Sequence, residues 1–192
     1  NEWAELLIKD HETTEQVLDG AQKEMSAELG PDPKTVEMIL EYLTGYVDAC
    51  HNQKEQDPLF PLIEQRGVPR EGGPLAVMLA EHDESKRLLA GLEDAGKAYI
   101  AARGEKPVEA CADALATLKA RLDVYAELVR GHFWKENDIL YPMAKRVLQA
   151  GDGDAILKGI EATEAKLGPG TREKFYGLAD TIMERTGVRD LC

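Results

Sequence analysis

The chain has 192 residues, of which 43% are hydrophobic and 6% aromatic, a composition that fits one globular domain with an ordinary core and a smaller appendage. A formal net charge of −13 excludes the basic footprint that nucleic acids and anionic membrane surfaces attract. No apolar run approaches the roughly 20 residues of a membrane span, and the three cysteines form no CxxC pair. We therefore expect a cytoplasmic protein without a disulfide framework or a thiolate zinc site.

Heptad-like spacing of apolar residues predicts four long helices, and no segment shows a strand pattern. The first helix runs from about Trp3 to Leu29 and ends at the Gly- and Pro-rich loop at residues 30–33. The second runs from about Lys34 to Gln56, because Pro58 and Pro61 are expected to stop it.

The third and fourth predicted helices both begin near a proline. Pro74 is tolerated in the first turn of the third helix, and the fourth begins near Pro107 and is disturbed at Pro142. Each of the four helices carries one histidine on its apolar stripe. These histidines are His11, His51, His82 and His132.

Two shorter helices are predicted beyond the fourth, at about residues 152–166 and 171–185. The chain is therefore expected to be all-α. An up-down-up-down four-helix bundle would occupy residues 1–150. A C-terminal helical appendage, packed on the bundle or at an interface, would occupy residues 151–192.

Two segments share the eleven-residue pattern His-x-x-Lys-Glu-x-Asp-x-Leu-x-Pro, which begins at His51 and again at His132. Each copy places a glutamate, Glu55 or Glu136, four residues after its histidine. Residues four apart lie on one face of a helix, so each segment presents an imidazole and a carboxylate to the same point. This combination of nitrogen and oxygen ligands suits iron, manganese or zinc.

The other two histidines, His11 and His82, also lie in a repeat, in which each has an acidic residue on both sides. The two motifs alternate along the chain, which indicates an internal duplication. In an up-down-up-down bundle with a rise of about 1.5 Å per residue, all four histidines fall roughly 9–14 Å from the same end. We therefore expect them to meet in one layer of the interior.

A histidine on an apolar face is more often a core residue than a ligand, and a glutamate four residues later is common in an acidic chain. Two identical His-Glu pairs at one depth are harder to explain in this way. An unpaired interior carboxylate also costs several kcal/mol, against a total stability of about 5–15 kcal/mol. The pattern therefore favours a metal site. The predicted ligands are His11, His51, Glu55, His82, His132 and Glu136.

Glu55 and Glu136 are expected to reach the centre from opposite helices, with two histidines on each side. This arrangement predicts two ions bridged by both carboxylates, with open positions and room for an oxygen bridge. Zinc more often takes a closed tetrahedral set, so the open set favours two iron ions, then manganese.

These residues resemble the hemerythrin-like, or HHE cation-binding, family. The resemblance rests on His11, His51 to Glu55, the pair Glu81-His82 and His132 to Glu136, and it covers about residues 3–145. It implies an up-down four-helix bundle with a non-haem di-iron centre that meets oxygen, nitric oxide, peroxide or iron itself.

Two positions depart from the marine oxygen carriers of the wider family. Where those proteins have a fifth histidine and an aspartate, this chain has Lys86 and Asn137, so the resemblance disfavours the carrier role. Glu81 resembles a glutamate that can reach a metal in related iron-sulfur repair proteins.

Several neighbours of the predicted ligands have a second expected role. Tyr125 could line the pocket, although a plain core tyrosine is the commoner case. Lys54 and Lys135 of the repeat are expected to extend to solvent. Four acidic residues flank ligands and could bind imidazoles, although solvated helix faces explain most such acids. They are Asp10, Glu12, Asp83 and Glu84.

The function expected from these features is the binding or reduction of a small oxidant, O2, NO or peroxide, with an unidentified electron donor. One alternative is a non-catalytic iron or oxygen sensor, in which the helices after Gly151 report metal binding to a partner. Another is oxygen storage. Nucleic acid and membranes are not expected partners, and a homodimer is an open option.

Overall fold

The structure, a computed structural model, describes residues 1–104 and 106–188. The regular elements within these residues are all helical, which confirms the predicted all-α class. A 3-10 turn at Val108–Cys111 precedes the fourth helix. The six helices of the described residues are α1 (Glu2–Glu24), α2 (33–65), α3 (Pro74–Arg103), α4 (112–147), α5 (Asp152–Leu167) and α6 (Thr171–Thr186). Residues 189–192 of the predicted appendage lie outside the described residues.

The helices α2 and α4 change their hydrogen-bond pattern along their length. Their α-helical segments are Pro33–Tyr42, Asn52–Lys54 and Phe60–Gln65 in α2, and Ala112–Lys135 and Tyr141–Val147 in α4. Their π-helical segments are Leu43–His51, Glu55–Leu59 and Glu136–Leu140. The Glu55 carbonyl accepts from the Phe60 N–H and the Glu136 carbonyl from the Tyr141 N–H, five residues on instead of four. A π turn therefore begins at each glutamate of the repeat, and such turns are frequent at functional sites.

Pro58 and Pro61 do not end α2, so the predicted stop was wrong. The helix α4 also continues past Pro142, where a disturbance was predicted, and a π turn precedes that proline. Pro58 lies inside a π turn, and Pro61 and Pro142 lie in the first turn of the α-helical segments that follow. In a regular α-helix a proline lacks the required N–H and its ring clashes with the carbonyl four residues earlier. The wider π turns relax this clash, and the helices continue to Gln65 and Val147.

The connection between the first two helices is longer than the sequence predicts. The helix α1 ends at Glu24, where tight turns replace the regular pattern, and not at Leu29. At the start of α2 the Asp32 carboxylate accepts a hydrogen bond of 2.9 Å from the Thr35 N–H, and Pro33 occupies the first helical turn. Both are common ways to begin a helix.

Two apolar clusters fill the interior and lie on either side of a polar layer. Along α1, Leu7 belongs to one cluster and Val17 to the other, and the buried His11 lies between them. The helices α2, α3 and α4 divide between the clusters in the same way. The predicted ligand residues therefore lie in a layer that crosses the core.

The helices α5 and α6, here called the C-terminal helix pair, pack against α1 and α2. Ile156 and Ile160 join one apolar cluster, while Phe175 and Ile182 join the other. Gly45 of α2 allows a close approach, because a Cβ there would lie 2.5 Å from the Phe175 Cζ. The core thus extends from the bundle into the C-terminal helix pair. None of the described helices combines the length and hydropathy needed to cross a lipid bilayer.

Candidate metal centre

The structure brings all six predicted ligand residues together, and each is buried. Their ligand atoms form two groups, and within each group all atoms lie within 4.8 Å of one another. One group is His11, His51, Glu55 and Glu136, and the other is Glu55, His82, His132 and Glu136. Both carboxylates therefore belong to both groups.

In the first group, two imidazole nitrogens face each other. The Nε2 atoms of His11 and His51 are 2.9 Å apart, and His11 Nε2 is 3.2 Å from Glu136 Oε2. Each ring places its Nδ1 against an oxygen acceptor, Asn137 Oδ1 or Asp10 Oδ2. In the neutral rings the proton therefore lies on Nδ1, and both Nε2 atoms present lone pairs. Two lone pairs at this distance repel each other, and a cation bound between the two Nε2 atoms would remove that repulsion.

In the second group, the inward atoms have no hydrogen-bond partner. His82 Nε2 is 3.3 Å from Glu55 Oε2, and His132 Nε2 is 2.9 Å from Glu136 Oε1, but neither orientation makes a hydrogen bond. Buried polar atoms in proteins are nearly always satisfied. The unsatisfied atoms here are Glu55 Oε2, His82 Nε2, His132 Nε2 and both carboxylate oxygens of Glu136. These atoms therefore fit a metal ion as their missing partner.

Every ligand histidine is held from its outer side through Nδ1. The contacts are His11 with Asn137 Oδ1 at 2.9 Å, His51 with Asp10 Oδ2 at 3.1 Å, His82 with the Gln56 amide at 2.7 Å, and His132 with Glu81 Oε2 at 3.0 Å. The Gln56 nitrogen faces His82, and a flip of this amide would place its oxygen there as an acceptor. Such outer contacts fix ring orientation and tautomer in metal sites.

These outer partners follow the duplication of the sequence. Asp10 directly precedes His11 and contacts His51. In the same way, Glu81 directly precedes His82 and contacts His132. Gln56 directly follows Glu55 and contacts His82. Asn137 directly follows Glu136 and contacts His11. Sequence reasoning missed Gln56 and Asn137. Their common position after each glutamate is the signal that could have found them.

The expectation of imidazole partners among the flanking acids holds for Asp10 alone. Glu12 pairs with Lys9 and Glu84 pairs with Arg87, on the outer faces of their helices. Asp83 is exposed. Glu81 binds His132 on the outer side and also pairs with Lys135, so it lies away from the inward Nε2 atoms. In this structure Glu81 has the position of a histidine partner.

Two buried tyrosines have different relations to the centre. The Tyr125 hydroxyl is buried in the apolar core and has no hydrogen-bond partner of standard geometry among the described residues. Tyr141, which sequence reasoning missed, donates to Glu55 Oε1 at 2.5 Å and lies 3.4 Å from His11 Nε2. The hydroxyl that contacts the centre therefore belongs to Tyr141.

The positions that depart from the oxygen carriers do not supply inward ligands. Lys86 is exposed on α3, away from the buried layer. Asn137 contacts His11 from the outer side, as described above. Both observations agree with the expected departure from the carrier pattern.

The centre is strongly charged in the absence of metal. Burial alone would raise the pKa of Glu136, but the neighbouring histidines, His132 first among them, hold that pKa well below its usual range. Burial alone would lower the pKa of His132, but the Glu136 carboxylate raises it to about 10. Two buried carboxylates among four imidazoles attract positive charge, which a bound metal cation would supply.

The expectation that both repeat lysines reach solvent was wrong for Lys54. Its side chain is completely buried, with Nζ 2.9 Å from Asp10 Oδ2, 3.1 Å from Tyr46 Oη and 2.6 Å from Glu164 Oε1. Lys135, its counterpart in the second copy, is 33% exposed. The difference arises because the C-terminal helix pair covers the copy of the repeat that contains Lys54 and leaves the copy that contains Lys135 open to solvent.

A small cavity adjoins the second ligand group. It has a volume of about 10 Å³, which is room for about one water-sized molecule. Its wall is mostly apolar, with Asn52 and Ser85 as polar members beside His82 and His132. Four larger grooves among the described residues lie elsewhere on the surface, and these four contain none of the six ligand residues. The space next to His82 and His132 is therefore about the size of one water molecule.

A helical bundle with a buried layer of histidines and shared carboxylates defines a class of metal-binding proteins. The sequence profile of the Hemerythrin HHE cation binding domain matches residues 4–144, and the chain belongs to this family. Family membership and the buried cluster together indicate a non-haem iron site.

Curated relatives include proteins named iron-sulfur cluster repair protein YtfE. The Escherichia coli protein is 32% identical over 117 residues, which cover 58% of this chain and 49% of the relative. The Salmonella paratyphi B protein is 32% identical over 109 residues, covering 53% of this chain and 46% of the relative. The chain therefore matches about half the length of these relatives. No solved structure gives a significant match.

Proposed function

We propose that this chain binds two iron ions and that the pair binds or reduces a small oxidant, O2, NO or peroxide. His11 and His51 would hold one ion, and His82 and His132 the other. Glu55 and Glu136 would be shared between the ions. A set of two nitrogens and two shared oxygens per ion leaves open positions, which suits iron, and manganese and zinc are less favoured.

The observation that carries this proposal is the set of unsatisfied buried atoms around Glu55 and Glu136. Leaving such groups unpaired costs about 1–3 kcal/mol each, and more when the group is charged. Four histidines held through their outer nitrogens, with their inner nitrogens turned to the same carboxylates, have no comparable explanation as an ordinary core.

Bound iron supplies electrons and Lewis acidity to the oxidant. The chain's own residues orient the centre and restrict access to it. The cavity beside His82 and His132 has the size of about one water molecule, so a small oxidant would need less rearrangement to enter it than a larger substrate would. Tyr141 donates a hydrogen bond to Glu55 Oε1 and so orients that carboxylate within the centre.

The test is the reaction of the anaerobic ferrous protein with O2, NO and peroxide in turn, followed by optical and EPR spectroscopy. We expect oxidation or ligand binding at the iron with at least one of the three, and loss of that signal in Glu136→Gln. Glu127→Gln is the matched control, because Glu127 is an exposed carboxylate on the same helix. Ferrous protein that reacts with none of the three would contradict the proposal.

The same experiment separates the other functions. A reversible band with O2 and no turnover would indicate oxygen storage. Iron-dependent ordering of the bundle without reaction would indicate a sensor.

Iron-sulfur cluster repair is a second candidate, favoured by the 32% identity to proteins of that name. It predicts that the loaded protein restores an apo iron-sulfur protein faster than the same concentration of free ferrous iron. Equal rates would remove this candidate.

A further inference from the structure

The metal centre has two halves, one with His11 and His51 and the other with His82 and His132. The C-terminal helix pair reaches the outer side of the His11–His51 half. Asp10, whose Oδ2 contacts the His51 ring, accepts four hydrogen bonds and is completely buried. Lys54 donates to its Oδ2 at 2.9 Å, while Tyr46 and Tyr176 donate to its Oδ1 at 2.7 Å each. Tyr176 lies on α6, so a residue outside the bundle helps to fix the carboxylate that orients His51.

A second contact comes from α5. Glu164 Oε1 lies 2.6 Å from the Lys54 ammonium, which also donates hydrogen bonds to Asp10 and Tyr46. Arg172 of α6 binds both oxygens of Glu164 at 2.9 Å. This row of side chains alternates in charge from Arg172 through Glu164 and Lys54 to Asp10. Its net formal charge is therefore zero, and Asp10 at its end contacts His51.

The other half has the same local motif without this cover. Glu81 accepts from His132 and Lys135, as Asp10 accepts from His51 and Lys54. The Glu81 side chain, however, is 18% exposed and Lys135 is 33% exposed. Among the described residues no contact from the C-terminal helix pair reaches Glu81 or Lys135. The duplication thus gives two equivalent halves, and the C-terminal helix pair makes them unequal.

We infer that the C-terminal helix pair positions His51 through Glu164 and Tyr176, so that the His11–His51 half holds its iron more tightly than the His82–His132 half. The inference rests on the proposed function, because it assumes that both halves bind iron. Replacing a residue that hydrogen-bonds a ligand histidine typically changes metal affinity 10–100-fold. Asp10 is such a residue, and Tyr176 acts on it directly and Glu164 through Lys54, so an effect at the lower end of this range is expected. The looser, partly exposed half is also the one next to the cavity.

The variant Glu164→Gln tests this inference, because it keeps the shape of the side chain and removes its charge. The row of side chains then carries one uncompensated positive charge close to a cation site. In an anaerobic ferrous titration we expect the tighter of two binding steps to weaken about tenfold, and the looser step to stay within about threefold. A purely structural role for Glu164 would weaken both steps together.

Two variants serve as controls. Glu161→Gln removes the same charge from an exposed position on α5 and is expected to leave both steps unchanged. Glu81→Gln changes the corresponding contact of the open half and is expected to weaken the looser step. If Glu164→Gln and Glu81→Gln weaken the same step, or if Glu161→Gln matches Glu164→Gln, the inference is wrong.

Tyr176→Phe provides an independent variant. It removes one hydrogen bond from Asp10 without changing any charge, and we expect it to weaken only the tighter step. It also decides the matter if Glu164→Gln does not fold. Wild-type protein that binds no iron would overturn the proposed function itself. Wild-type protein that binds two ions, with both steps unchanged in Glu164→Gln and Tyr176→Phe, would overturn this inference alone.

Discussion

Replacing Asp10 with asparagine removes the carboxylate on which four donors converge. In the metal-free protein this change breaks a fully buried ion pair with Lys54 and leaves the amide nitrogen of the new side chain facing donors. Removing one partner of a buried ion pair costs about 3–5 kcal/mol. At about 2–4 °C per kcal/mol for a chain of this size, the melting temperature of Asp10→Asn should fall by roughly 6–20 °C.

The assay is thermal unfolding of the metal-free variant, followed by circular dichroism at neutral pH. Asp83→Asn, which changes an exposed carboxylate on α3, is the control and should stay within about 0.5 kcal/mol of wild type. A melting temperature for Asp10→Asn within about 2 °C of wild type would refute the reasoning, because it would mean that the buried row of charges contributes little.

Three further predictions concern the centre and the packing around it. In metal-free protein the Glu136 carboxylate outweighs burial and raises the pKa of His132 to about 10. The stability that this group contributes should be complete below about pH 6.5 and lost as the pH rises through about 10. A melting temperature that stays constant over this range would contradict the prediction. Tyr141→Phe removes the hydrogen bond to Glu55 and should lower the free energy of unfolding by about 1–3 kcal/mol in denaturant titrations, whereas no change would show that the bond contributes nothing. Gly45→Ala should cost about 1–3 kcal/mol because its Cβ meets Phe175, whereas Gly177→Ala, which meets nothing within 4 Å, should be neutral or stabilising; equal effects would contradict this.

The six inward residues could be predicted because the information is local. A histidine and a glutamate four residues apart share a helix face whatever surrounds them, and the duplication places four histidines at one depth. The contacts through Nδ1 could not be predicted in the same way, because they join different helices. Asn137, for example, contacts His11 across 126 positions of the chain.

Lys54 shows why identical motifs can have different environments. It has the same position in the repeat as Lys135, and a long charged side chain is normally expected at the surface. What buries Lys54 is Glu164 on α5, more than a hundred residues later in the chain. Nothing in the repeat itself indicates this cover.

The prolines were misread for a related reason. A proline within a regular α-helix is a valid stop signal. Here the π turns that begin at Glu55 and Glu136 remove the conflict, and a π turn has no simple signature in one sequence. The same turns that carry the shared glutamates thus also allow α2 and α4 to continue.

The most direct test of the central claim is the number of iron ions that one chain holds. Anaerobic loading with ferrous iron, removal of loosely bound metal and elemental analysis should give two ions per chain in the wild type. Glu55→Gln and Glu136→Gln should each reduce this number, because each carboxylate serves both ions. Wild-type protein that retains one ion or none, or variants that retain two with unchanged affinity, would contradict a pair of irons shared by these two glutamates.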